Sequence, residues 1–181
     1  MKSLIAFLLL ISAQNIIKAQ KTADFDNKTK IYLVRHAEKQ SGNDPFLTES
    51  GNKRAGALLE LLKNKGVKHI YVTQFKRTQM TGDSLRIQLG IDTVQYKADT
   101  TGEDVLIKIL SHNDAGKTIL IIGHSNTIPK IIRQFGATDF EPVNIPDAEF
   151  DNLYLLTFKK KKVQVKKMKY GEAAAISAEM K

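Results

Sequence analysis

Two histidines and two arginines in this 181-residue chain have the types and spacing needed to hold and transfer a phosphoryl group. Arg35 and His36 follow directly on the apolar run Ile31-Tyr32-Leu33-Val34, and Gly123-His124 follows Ile119-Leu120-Ile121-Ile122. Ile70-Tyr71-Val72 leads through Thr73 to Lys76 and Arg77. An imidazole attacks phosphorus only when neutral, with one ring nitrogen held and the other free, and an ordinary pKa of about 6.5 leaves it neutral near pH 7. Transfer to nitrogen splits hydrolysis into formation of a phosphohistidine and its later attack by water. The phosphoryl oxygens carry the charge that must be stabilised, and a guanidinium meets them with two parallel charge-assisted bonds. Arg35 and Arg77 suit that task, and His124 suits donation to the same oxygens.

These residues need elements that bring them together. Short β-branched runs bounded by turn residues and separated by helical patterns read as buried parallel strands, whose ligands collect outside the carboxyl ends. The sequence predicts strands at 30–34, 70–72, 93–96 and 118–122, the last the most apolar and central. Helices are predicted from Thr48 as N-cap to near Gly66, over 76–89 ending at Gly90, over 103–110, and over 127–135 with Pro129 in its first turn. Met80, Leu85 and Leu89 are the expected core positions of the second helix. A strand pair, 153–158 and 163–165, follows. Alternating strands and helices predict one α/β domain, a three-layer α/β/α sandwich with a mostly parallel central sheet, over residues 30–170.

The first residues have a different character. Lys2, the apolar stretch Leu4 to Ile11 and Ala19 before Gln20 describe a secretory signal peptide over residues 1–19, with Ala13 as an alternative cut. The apolar stretch is too short to span a bilayer, so the mature chain, periplasmic or secreted, is expected to carry no integral membrane segment. There is no cysteine, which excludes disulfides, a thiolate nucleophile and a lipid-modified cysteine. The formal net charge is +9, and +7 once Lys2 and Lys18 leave with the signal. Much of it lies at Lys159 to Lys162 and at Lys166, Lys167 and Lys169. These lysines flank strand-like segments without interleaved aromatics, so they read as protection of an edge strand, not as a nucleic-acid surface. Residues 171–181 read as a C-terminal tail.

At this point the sequence resembles the histidine phosphatase superfamily, the phosphoglycerate-mutase-like fold, and among its members the short bacterial ones. Arg35-His36-Ala37-Glu38 is similar to the signature Arg-His-Gly-Glu, and Asp44-Pro45-Phe46-Leu47-Thr48-x-x-Gly51 to the entry of the first helix. Ile70-Tyr71-Val72-Thr73-x-x-x-Arg77-Thr78-x-x-Thr81 resembles the second-arginine segment. Gly123-His124-Ser125-Asn126-Thr127 resembles the second-histidine segment, and Asp151-Asn152-Leu153-Tyr154 the last core strand. The resemblance implies that His36 is the phosphorylated nucleophile and that Arg35, Arg77 and His124 form the phosphate pocket. It implies a phosphorylated small-molecule substrate and no metal or other cofactor. Asn43 is a further candidate for substrate contact.

Larger members of the family place a glutamate after the second arginine to protonate the leaving oxygen. In this chain the span from Tyr96 to Glu103 is short, leaving Glu103 and Asp99 as acid candidates, each of which reads more readily as a helix cap or dipole partner. Without an acid, aryl phosphates, anhydrides and phosphoramidates should outperform alkyl phosphates. The loops between Glu38 and Phe46 and between Lys97 and Glu103 are expected to shape the pocket mouth. His69 reads as solvated and His112 as a helix cap. Glu38 reads as a partner of Arg35 or a polar turn residue, and Gly123 as a tight turn. Together these readings predict a metal-independent phosphohydrolase acting through His36. The alternatives are a non-catalytic phosphate-binding module and a phosphoglycerate-type mutase. Oligomeric state is left open.

Overall fold

The computed structural model describes residues 25–160 and 162–173, so the signal segment and the last eight residues of the tail lie outside the described residues. The elements run β1 (Lys30–Arg35), α1 (Glu49–Leu62), β2 (Val67–Val72), α2 (Lys76–Leu89), β3 (Thr93–Gln95), α3 (Glu103–Ser111), β4 (Thr118–Gly123), α4 (Ile128–Gln134), β5 (Asn152–Lys159) and β6 (Lys162–Lys169). They form one sheet in the order β3-β2-β4-β1-β5-β6. β1, β2, β3 and β4 pair in parallel, while β5 is antiparallel to both β1 and β6. The expected α/β/α sandwich is observed, with the most apolar strand, β4, beside β1 at the centre.

Side-chain alternation along the strands divides the core into two layers. Ile31, Leu33, Ile119 and Ile121 pack with Val105, Leu106, Ile109, Ile131 and Ile132 from α3 and α4. Tyr32, Val34, Leu120 and Ile122 pack with Leu58, Leu62 and Leu85 from α1 and α2. Both central strands are buried on both faces, which is why their sequences read as continuous apolar runs. Leu85 is fully buried, whereas Met80 and Leu89 are half-buried at the edges of their clusters.

Local chemistry sets the ends of these elements. Thr48 caps α1, its hydroxyl accepting from Gly51 N at 3.1 Å. Gly51 is required there because a Cβ would stand 2.1 Å from the Glu38 carbonyl oxygen. Gly90, at φ 61°, closes α2 in the left-handed conformation. β6 is longer than the sequence pattern suggested and lies at the sheet edge, with Lys162, Lys166, Lys167 and Lys169 exposed, as edge protection requires.

Candidate active site

The carboxyl ends of β1 and β4 are in register, Arg35 opposite Gly123, so the residues that follow each strand emerge side by side. His36 N donates to Gly123 O at 2.9 Å, and the His36 and His124 rings meet edge-on with centroids 5.4 Å apart. α2 brings Arg77 to the same place. Arg35, His36, Arg77 and His124 line one cavity of about 360 Å³. Lys39, Phe75, Ala98, Ser125, Asn126 and Thr127 complete its wall.

His36 is buried, and its Nδ1 lies 2.8 Å from the carbonyl oxygen of Ala37. A carbonyl only accepts, so Nδ1 carries the proton and the lone pair of the neutral ring resides on Nε2. Ala37 is held in turn, its N–H donating to Thr81 Oγ1 at 2.9 Å. Burial, and then the charges of His124, Arg35 and Arg77, pull the His36 pKa down to about 3 against the Ala37 hydrogen bond. Burial, followed by Arg77 and Arg35, pulls His124 down to about 4. Both imidazoles are neutral near pH 7.

Arg35 is buried beneath the segment that joins α4 to β5. Its Nη1 donates to Pro146 O at 3.1 Å and to Asp147 O at 2.9 Å, with Asp147 Oδ1 3.6 Å from Nη2. The Phe150 ring lies 4.0 Å from its guanidinium carbon. Arg77 packs on Phe75 at 4.2 Å and lies 3.8 Å from Asp44 Oδ1. Burial lowers the pKa of both arginines, against Asp147 and Glu38 at Arg35 and against Asp44 at Arg77. In both, Nε is buried without a hydrogen-bond partner among the described residues. A buried donor left open costs about 1–3 kcal/mol, and both of these belong to residues that line the cavity.

Several residues fall elsewhere than the sequence suggested. Asn43 is exposed and does not line the cavity; its neighbour Asp44 turns inward, accepting from Lys76 N at 2.9 Å at the start of α2. Glu103 is exposed in the first turn of α3, outside the cavity lining. Asp99 is occupied as a cap, accepting from the backbone of Thr101, Gly102 and Asp104. No carboxylate stands among the described residues that line the cavity. Lys39 and Ala98 place the two expected loops at the mouth.

Glu38 does not pair with Arg35. It grips Arg54 of α1, with Nε–Oε1 and Nε–Oε2 contacts of 3.0 and 2.9 Å and an Nη2–Oε1 contact of 2.6 Å. Arg54 is reached only through the fold, so the Arg35 pairing suggested by adjacency gives way to a contact across 16 residues. Gly123 has no positive φ; a Cβ there would meet Tyr96 Oη and Ile128 Cδ1 at 2.9 Å, so close packing, not a turn, requires glycine. His69 is half-buried and not free in solvent, its Nδ1 lying 2.7 Å from the buried Asp114 Oδ2. His112 is the C-cap of α3, its Nδ1 2.9 Å from Lys108 O. Among the described residues no group of three or more His, Asp or Glu could hold a metal ion, and no helix is long and apolar enough to cross a membrane.

The profile of the histidine phosphatase superfamily (branch 1) matches residues 31–99. No curated protein sequence matches the chain. Among solved structures, SixA from Agrobacterium tumefaciens, described as a candidate phosphohistidine phosphatase, superposes with TM-score 0.58 at 19% identity, covering 80% of this chain and 97% of its own. YhfR from Bacillus stearothermophilus gives 0.57 at 18% identity, with coverages of 76% and 95%. The mycobacterial glucosyl-3-phosphoglycerate phosphatase gives 0.53 at 12% identity, with coverages of 76% and 96%. At these identities the likeness establishes a shared fold.

Proposed function

We propose that this member of the histidine phosphatase superfamily is a phosphohydrolase that acts through phosphorylation of His36 and uses no metal. One observation carries the reading: a buried and a half-buried arginine, each with an unpaired Nε–H, line one cavity with a neutral histidine whose Nε2 holds the lone pair. The Nε2 lone pair forms the P–N bond while the bond from phosphorus to the leaving oxygen or nitrogen breaks. Arg35, Arg77 and His124 hold the three equatorial oxygens where charge is spread in the transition state. Water then attacks phosphorus, the P–N bond returns its electron pair to Nε2, and inorganic phosphate leaves.

Departure of the leaving group sets the preference. With no carboxylate lining the cavity, that atom takes its proton from solvent, which favours leaving groups that need little help. Aryl phosphates, anhydrides and phosphoramidates meet this condition, and the name of the A. tumefaciens SixA falls in the phosphoramidate class. Residues 1–19, read as a signal peptide, would put this activity outside the cytoplasm.

The test is hydrolysis of an aryl phosphate by the mature chain, with chelator present and His36→Ala as control. The expected result is turnover that survives chelation, disappears in the variant, and exceeds that of an alkyl phosphate by about tenfold or more. Activity that depends on a divalent ion, or persists in His36→Ala, would overturn the reading. Phosphate binding without turnover would favour a binding module.

A further inference from the structure

α2 ties both histidines to the scaffold through one buried face. Thr78 and Thr81, three residues apart and fully buried, face inward from its first turns. Thr81 reaches His36 by way of Ala37, and Thr78 reaches His124 by way of Thr73. The second connection fixes where protons can lie.

His124 Nε2 is 3.1 Å from Thr73 Oγ1, and Thr73 Oγ1 is 2.9 Å from Thr78 Oγ1. Thr78 Oγ1 donates to Phe75 O at 2.8 Å. On the other side of the ring, Arg77 Nη2 lies 3.4 Å from Nδ1. A guanidinium only donates, so Nδ1 presents its lone pair and Nε2 carries the hydrogen. The hydrogens then run in one direction, from Nε2 to Thr73, from Thr73 to Thr78, and from Thr78 to the Phe75 carbonyl. The opposite tautomer would set an Nδ1–H against a guanidinium donor. It would also require Thr78 to donate to Thr73, giving up its hydroxyl bond to the Phe75 carbonyl.

We propose that Thr73, backed by Thr78, is a positioning residue that holds His124 as the Nε2–H tautomer with the Nδ1 lone pair turned to the cavity. Given the phosphatase reading, this makes His124 an acceptor on arrival and a donor afterwards. A phosphomonoester has its second pKa near 6 and enters partly as the monoanion. Its P–OH transfers the proton to Nδ1, the O–H bond breaking as the N–H bond forms, while Arg77 Nη2 turns from Nδ1 to the phosphoryl oxygens. The imidazolium then donates from Nδ1 to the phosphoryl oxygen and from Nε2 to Thr73, adding a third cation beside Arg35 and Arg77. The proton that charges His124 comes from the substrate, while the leaving atom still takes its own from solvent.

The deciding measurement is the imidazole ¹⁵N spectrum of the phosphate-free protein near pH 7, which reports the tautomer of His124 whether or not the protein turns over substrate. An unprotonated Nδ1 with a protonated Nε2 is expected. Thr73→Val should yield mixed tautomers and lower kcat for an aryl phosphate by about tenfold or more, with KM within about threefold, as removal of an orienting partner does. Thr73→Ser should restore both. An Nδ1–H tautomer in the unsubstituted protein overturns the proposal even if Thr73→Val fails to fold. Unchanged tautomer and kcat in Thr73→Val overturn it equally. Inactivity of the unsubstituted protein with the expected tautomer would count against the phosphatase reading and leave the positioning role standing.

Discussion

Two polar clusters sit at opposite ends of the central strands, and each is built around buried charge. Beyond the carboxyl end of β4, the buried Arg35 and the largely buried Arg77 keep an Nε–H without a partner. Before its amino end, Asp114 is fully buried and every oxygen is used. Oδ2 lies 2.7 Å from His69 Nδ1 and accepts from Tyr71 Oη at 2.6 Å, and Oδ1 accepts from Lys117 Nζ at 2.9 Å. Burial would raise the Asp114 pKa, but bonds from Tyr71, Lys117 and His69 outweigh it and hold it low. Both clusters perturb ionisation, so perturbation alone does not distinguish a site from a brace. Open bonding capacity beside a cavity does: the Asp114 cluster is saturated and does not line the cavity, whereas the two open Nε–H groups belong to residues that do.

The largest expected effect is a double dissociation between the clusters. Arg77→Met should weaken inorganic phosphate binding about a hundredfold or more, because a charge-assisted pair with a guanidinium is lost. Its unfolding free energy should stay within about 1 kcal/mol, since functional cations are held at a stability cost. Asp114→Ala should do the reverse, removing about 3 kcal/mol of stability by stranding its donors while leaving phosphate affinity intact. Calorimetric titration and denaturant unfolding of the two variants read both quantities. Loss of affinity in Asp114→Ala would show that the clusters are coupled through β4 and would break the comparison.

A smaller effect follows from pH. The folded-state pKa values of His36 and His124, about 3 and about 4, lie below the unfolded value of 6.5. The unfolded chain therefore binds these protons first as pH falls. Their stabilising contribution is whole above pH 6.5 and drains away as pH drops toward 4. The slope is about 1.4 kcal/mol per pH unit for each histidine. The lowered Asp114 pKa acts in the same direction but at lower pH, contributing above 3.8 and failing only below it. Between pH 4.5 and 6 the loss should belong to the cavity, beside Arg35 and Arg77. Thermal midpoints across that range should fall less steeply in His124→Gln and as steeply as wild type in Asp114→Asn. Equal slopes in His124→Gln and wild type would sink the assignment.

The sequence made the strand rim legible for a physical reason: β1 and β4 are buried on both faces, so their ends are marked by the first polar residues after an unbroken apolar run. The caps were legible too, Thr48 and Asp99 through short polar side chains beside helix starts. What sequence concealed was distant pairing. Arg54 grips Glu38, and Asp114 gathers His69, Tyr71 and Lys117, although nothing in the local sequence of any of them points to its partner. The segment over 136–151 was the largest gap. It contacts Arg35 mainly through the carbonyls of Pro146 and Asp147, and a backbone carbonyl has no residue signature. Phe75 was similarly silent, a spacer between Thr73 and Arg77 until the fold made it a cavity wall.

That segment supports the smallest prediction. Arg35 is the cation whose counter-groups come from chain far away in sequence, and Phe150 contributes a ring face 4.0 Å from the guanidinium carbon and 6.0 Å from the His36 ring. A partly desolvated cation–π contact is worth about 1 kcal/mol, close to fivefold in affinity. Phe150→Ala removes both the ring face and the apolar cover, while Phe150→Leu keeps cover and loses the ring. If the π face orients Arg35, both variants should bind inorganic phosphate about fivefold more weakly. A loss in Phe150→Ala alone would instead make the segment a wall that keeps water from Arg35. In that event the open Nε–H owes its condition to exclusion of solvent, and the contrast with Asp114, whose two oxygens are both met by side-chain donors, becomes sharper.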